Sequence, residues 1–206
     1  MNVHFNASLS KVRRIAFGAV SAAALVLVTG CAHPISMAPD IKAVPAPSAK
    51  IAKKVGYFIS AEDLAKEVTT PGGGGDKVKY LPYKDMETGI YKAFSQVFDG
   101  VVKLKSADDK ASIGEQGLSL VIKPTLSTTS FSDSAFTWPP TQFTVDITCV
   151  VTDAKGAEVT RLTSQGKGAA TFSEFTSDFS LSAKRASQDA LAKLVRDLSA
   201  SDALRR

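Results

Sequence analysis

The segment QFTVDITCVV, residues 142–151, alternates large apolar and polar residues without a break, so that Phe143, Val145, Ile147, Cys149 and Val151 share one face. An extended chain turns successive side chains to opposite faces, and this pattern is that of a strand with one side in a core and the other in water. The apolar face of such a strand needs another layer against it. On that face Cys149 reads as a small core residue rather than a reactive thiol.

Two stretches supply amphipathic helices for the covering layer. In KDMETGIYKAFSQVFDG, residues 84–100, Met86, Ile90, Ala93, Phe94, Val97 and Phe98 follow three-and-four spacing, with Asp85 a candidate N-cap and Gly100 a candidate stop. Near the C-terminus Ala183, Ala186, Ala190, Leu191, Leu194, Val195 and Leu198 form a second stripe, preceded by capping candidates Asp178, Ser180 and Ser182. Further strand-like runs are VGYFIS from Val55, VVKLK from Val101, GLSLVIKPTL from Gly117, and a weaker pair over residues 159–172. Between two of these runs, Asp153-Ala154-Lys155-Gly156 reads as a hairpin turn. Several strands succeed one another with no helical pattern between them. The expected fold class is therefore α+β: a largely antiparallel twisted sheet with two helices packed on one face, in the order β-α-β-β-β-β-α.

The N-terminus is of another kind. Lys11, Arg13 and Arg14 precede an apolar run from Ile15 to Val28, which ends in Thr29, Gly30 and Cys31. At 1.5 Å per residue this run reaches only about 21 Å, short of the roughly 30 Å a spanning helix must cross, so it reads as a secretory signal that is removed. Val28-Thr29-Gly30-Cys31 resembles the bacterial lipoprotein box, an aliphatic residue and two small ones before an obligatory cysteine. The resemblance implies that Cys31 becomes the first mature residue and carries acyl chains on its sulfur and amino group. Each buried methylene contributes about 0.8 kcal/mol, so several chains would hold the protein to a membrane. In the same family of signals an aspartate after the cysteine retains the protein at the inner membrane. Ala32 stands there instead, which implies the outer membrane, with the domain facing the periplasm. An ordinary signal peptide with a chance cysteine is the alternative.

Residues 32–50, AHPISMAPDIKAVPAPSAK, hold Pro34, Pro39, Pro45 and Pro47 among small residues, a composition suited to an extended tether of up to roughly 50–60 Å. The expected organisation is thus a signal peptide over 1–30, a Pro/Ala-rich tether over 31–50, and a single α+β domain over 51–206. Removing residues 1–30 takes three basic residues and no acidic one, so the formal charge falls from +5 to +2. That gives no warrant for nucleic-acid binding. With His4 in the signal and His33 in the tether, the folded domain would lack histidine, and with it the commonest general base and metal ligand.

The run TTPGGGGDKVKYLPY, residues 69–83, raises the question of a phosphate-binding loop. Asp76 repels phosphate, no Ser or Thr follows Lys77, and Pro82 speaks against a helix beginning there. Gly72–Gly75 therefore read as a mobile surface loop between the first strand and first helix, with Tyr80, Leu81 and Tyr83 packing beyond it. The segment SFSDSAFTWPPTQF, residues 130–143, gathers aromatics around a stiff proline pair. Phe136, Trp138, Pro139 and Pro140 form a candidate interaction loop, because a rigid exposed aromatic loses little entropy on docking. The competing reading has these rings cap one end of the core.

The lipobox followed by this layout resembles the small envelope lipoproteins typified by YajG and by the lipopolysaccharide-assembly lipoprotein LptE, and GGGGDKVKYLPY and FTWPPTQF resemble phrases of proteobacterial lipoproteins. The expected function is that of a non-catalytic, membrane-anchored lipoprotein of the cell envelope that binds a protein or envelope component, with no cofactor or metal. A lipid or small-molecule carrier with an apolar cavity between helices and sheet is the alternative. A Ser-Lys hydrolase comes third.

Overall fold

The structure, a computed structural model, describes residues 32–133, 137–175 and 177–206. Cys31 and Phe136 lie outside the described residues. The chain forms β1 (Ala32–Pro34), a 3₁₀ turn (Ile41–Ala43), β2 (Ile51–Tyr57), α1 (Ala61–Ala65), β3 (Val68–Pro71), β4 (Lys77–Tyr80) and α2 (Pro82–Val97). It continues through β5 (Phe98–Lys103), α3 (Lys110–Gln116), β6 (Leu120–Phe131), β7 (Gln142–Asp153), β8 (Glu158–Ala169), α4 (Phe172–Phe175), α5 (Leu181–Ala200) and α6 (Asp202–Arg205).

The fold is α+β, as the sequence leads one to expect. Its main sheet runs in the order β5-β2-β6-β7-β8. The β6-β7-β8 portion is antiparallel and carries the longest ladders, from Leu120↔Asp153 to Phe131↔Gln142 and from Gln142↔Ala169 to Thr152↔Glu158. The other portion is parallel, because β2 pairs with β5 and with β6 in the same direction. A parallel return requires a crossover, which α2 provides between β2 and β5 and α3 between β5 and β6. Helix α3 escapes a search for apolar periodicity because Ile113 is its one buried side chain. What defines it is capping. Asp109 accepts from the Ser112 N–H at 3.1 Å and from its hydroxyl at 2.8 Å, and Gly117 closes the helix in the left-handed region.

Helices α2 and α5 pack on one face of this sheet. Met86, Ile90, Phe94 and Val97 from α2, with Leu191, Leu194 and Leu198 from α5, are buried against Val55, Ile122, Phe143, Val145, Ile147 and Cys149. Val121 points the other way and meets Ile113, Leu104 and Leu118, so α3 covers part of the opposite face. Pro82 is the first residue of α2, where its fixed φ suits a helix and its missing N–H would have had no partner. The expectation that it opposes a helix start is therefore corrected. Gly100 does not end α2 either, since the chain passes at Val97 directly into β5.

The weakness of the β8 pattern has a steric cause. Past Leu162, its buried positions are Ser164, Gly166 and Gly168, all small, with Ala170 following just beyond the strand. A Cβ on Gly166 would lie 2.1 Å from the Ala186 carbonyl oxygen, and one on Gly168 2.0 Å from that of Ser182. The backbone of α5 thus rests on the backbone of β8, with Ala183, Ala186 and Ala190 completing the contact.

The segment read as a tether is part of the domain from its first described residue. β1 joins β3 and β4 in a second sheet, in the order β1-β4-β3. Met37 is fully buried and Val44 nearly so, and both belong to the main core. The Met37 N–H donates to Asp85 Oδ2 at 2.8 Å, so Asp85 holds this segment rather than capping its own helix. Composition argues for a free spacer, but two apolar side chains seated in a preformed groove outweigh four prolines. His33 therefore lies inside the folded unit, which does contain a histidine.

Gly166→Ala is expected to destabilise the domain by about 1–3 kcal/mol or more, because the obstructing atoms are backbone and cannot rotate away. Gly114→Ala, in α3 with open space around it, is expected to gain about 0.5–1 kcal/mol. Urea unfolding midpoints of the two variants against the wild type check both signs.

Candidate functional site

The unusual stretches of the sequence converge at one end of the molecule. β6 ends at Phe131, which pairs with Gln142, and Gln142 pairs with Ala169 at the end of β8. Residues 132–133 and 137–141 lie at this end. Here Trp138 is partly buried, its ring stacked on the His33 imidazole at 4.2 Å and tilted against Phe179 at 5.0 Å. Pro139 and Pro140 are buried, and the Pro140 carbonyl accepts from the Ser182 hydroxyl at 2.7 Å. The proline pair thus anchors the loop to the first turn of α5, and the exposed aromatics are others: Phe131 at 56%, Phe172 at 70% and Phe179 at 50%.

The glycine run is the turn of the β3-β4 hairpin, not a joint between the first strand and first helix. Gly72 N–H donates to Asp76 O, Asp76 N–H to Gly73 O, and Gly73 N–H to the Trp138 carbonyl at 2.9 Å. Gly74 and Gly75 have φ of 66° and 87°, which glycine adopts without strain. A Cβ on Gly72 would lie 2.2 Å from the Trp138 carbonyl oxygen. The expected mobile loop is instead a tight turn fastened to the tryptophan. Tyr80 and Tyr83 are buried beyond it, as expected, with Tyr80 edge-on to Phe143 at 5.4 Å. Behind the turn the Ser130 hydroxyl donates to the Pro71 carbonyl at 2.5 Å, joining β3 to β6.

β1 enters the same corner. Ala32 is in register with Lys77, next to the turn, and His33 with Val78. His33 Nε2 lies 3.4 Å from Asp76 Oδ2. Just after β1, Ser36 N–H donates to the Ser180 hydroxyl at 3.1 Å, so α5 holds the N-terminal segment as well as the aromatic loop. Sequence reasoning missed the pairing of His33 with Trp138. A three-residue strand leaves no periodic signal.

Phe172 is presented by a small polar staple. Glu174 accepts from Arg185 Nη2 at 2.7 Å and from the Thr171 N–H and hydroxyl at 2.8 and 2.9 Å, while Arg185 Nη1 donates to the Ala169 carbonyl. The Arg185 guanidinium first, and Thr171 second, hold the Glu174 carboxyl down at about 2. Thr137, Thr141, Ala170, Phe172, Phe175 and Arg185 line an open groove of about 800 Å³ beside the staple. Elsewhere the reactive groups are quiet. Burial pushes the Cys149 thiol up to about 12, and among the described residues no cluster of three or more His, Cys, Asp or Glu could hold a metal. Among the described residues, no helix is long and apolar enough to cross a membrane.

No protein-family model and no curated protein matches the chain. Solved structures with a similar course include a Xanthomonas campestris protein of the DUF330 family, 11% identical over 81% of this chain and 89% of that one, with a TM-score of 0.43. PelC from Paraburkholderia phytofirmans, crystallised as a dodecamer, is 15% identical over 72% of this chain and 91% of its own, with a TM-score of 0.41. A candidate lipoprotein from Caulobacter crescentus is 15% identical over 70% and 87%, with a TM-score of 0.34. At these scores none of them assigns a family or a role to this chain.

Gly72→Ala is expected to push the hairpin off the aromatic loop, costing about 1–3 kcal/mol. Trp138 is the sole tryptophan, so its emission should shift to longer wavelength as water enters. For Glu174, a folded value near 2 lies below the unfolded value of about 4.3. Its contribution to stability is complete above the unfolded value and is lost as pH falls through the folded one. Melting temperatures between about pH 5 and pH 2 should therefore fall less steeply for Glu174→Gln than for the wild type.

Proposed function

We propose that this chain is a bacterial envelope lipoprotein whose domain acts without catalysis, by binding a protein or an envelope component. One observation carries the reading: Val28-Thr29-Gly30-Cys31 ends directly before β1, so a cut after Gly30 leaves the whole domain intact with Cys31 bonded to its first strand. A cut placed further on would remove His33 or Met37 and open the core. Acyl chains on Cys31 would anchor the domain, and Ala32 favours the outer membrane.

A non-catalytic role is supported by the state of the reactive groups. The thiol is sealed in the core, and Glu174, Asp178 and Asp189 are engaged with Arg185, Lys184 and Lys193. The carrier reading needs an apolar space between helices and sheet. It finds no support where α5 meets β8, since the two backbones are in contact there.

Cells fed a tagged fatty acid should yield a labelled protein, and Cys31→Ala should yield an unlabelled one retaining its signal. Ala32→Asp, at an exposed position of β1, should move the labelled protein from the outer-membrane to the inner-membrane fraction of a density gradient. A wild type that takes up no label overturns the proposal.

A further inference from the structure

We infer that the corner built from Trp138, Phe172 and Phe179 rests on the phospholipid bilayer that the acyl chains of Cys31 enter, and so fixes how the domain stands on its membrane. This rests on the lipoprotein reading above and adds a binding surface and its occupant. The first premise is the absence of a spacer. Ala32 is already in ladder with Lys77, and Met37 is buried. With consecutive Cα atoms about 3.8 Å apart, the His33 Cα lies within roughly 8 Å of the Cα of the acylated residue. The ring stacked on His33 is Trp138. An anchor at Cys31 therefore brings the bilayer surface to this corner.

The second premise is composition. Ile41, Tyr91, Phe131, Phe172 and Phe179 are the exposed large apolar residues among the described ones, and Phe172 and Phe179 belong to this corner. Phe179 touches Trp138, and Phe172 lines the groove that Thr137 also lines. Aromatic side chains settle at the boundary between headgroups and acyl chains. Lys77, exposed opposite Ala32, adds a cation where anionic headgroups would lie. A few rings bind a membrane weakly on their own. Joined to an inserted anchor without a spacer, they face a very high effective concentration of lipid, and weak contacts suffice.

The test uses the mature acylated protein in vesicles of phosphatidylethanolamine and phosphatidylglycerol, some carrying bromine shallow in the acyl chains and others deep. As the sole tryptophan, Trp138 reports the corner. Its emission should be lost in brominated relative to unbrominated vesicles, more with shallow than with deep bromine. The Phe172→Ser variant should lose less, with its melting curve unchanged because that side chain is 70% exposed and Phe179, which packs on Trp138, stays in place. The mass of the N-terminal peptide and flotation with the vesicles report acylation separately. Acylated protein that floats but keeps its emission overturns the inference, leaves the lipoprotein reading standing, and frees the corner for a protein partner. An unacylated Cys31 in protein that does not float overturns both.

Discussion

The backbone contact between α5 and β8 positions the rest of the molecule. Glycines at 166 and 168 let the helix descend until its carbonyl oxygens meet the strand, so its height and register are set by main-chain atoms rather than by adjustable side chains. The N-cap and first turn of α5 then present two hydroxyls at fixed places. Ser182 holds the Pro140 carbonyl, and Ser180 holds the Ser36 N–H. Through the first, the aromatic loop is pinned to the end of the sheet; through the second, the N-terminal segment is pinned beside it. A shift of α5 would therefore disturb the core and both halves of the corner together.

Much of this fold is legible in the sequence, and the parts that are not share a cause. Strand β7 and helices α2 and α5 announce themselves because each buries a periodic row of side chains, and periodicity is what sequence reveals. The β1-β4-β3 sheet is made of strands of three or four residues, too short to show a period. Strand β8 hides because its buried row is Ser164, Gly166 and Gly168, which packs by closeness instead of by apolar volume. Helix α3 hides behind a single buried isoleucine. The N-terminal segment misleads for another reason: composition describes an isolated chain, whereas Met37 and Val44 act against a surface that exists only after the domain has folded.

Docking of that segment changes what a lipid anchor would do mechanically. A spacer of twenty flexible residues would let a domain sample every orientation above its membrane. Here Asp85, Ser180 and the β4 ladder grip the chain within a few residues of Cys31. The proposed anchor would then act on a rigid body at a single point, and the surface around that point decides its tilt. Burial of the proline pair belongs to the same logic, since it stiffens the segment that presents Trp138.

The four consecutive glycines acquire their meaning in this setting. A phosphate cradle needs several N–H groups aimed outward at an anion. In this turn the N–H groups of Gly72, Gly73 and Asp76 are directed to Asp76 O, Trp138 O and Gly73 O respectively, all within the protein. The glycines divide the steric work: Gly72 makes room for the Trp138 carbonyl, Gly73 donates to it, and Gly74 and Gly75 turn the chain through positive φ. Asp76, which would repel a phosphate, instead faces His33 and closes the corner on its first strand. The same residues that exclude the nucleotide reading are thus the ones that fasten the tryptophan beside the start of the domain.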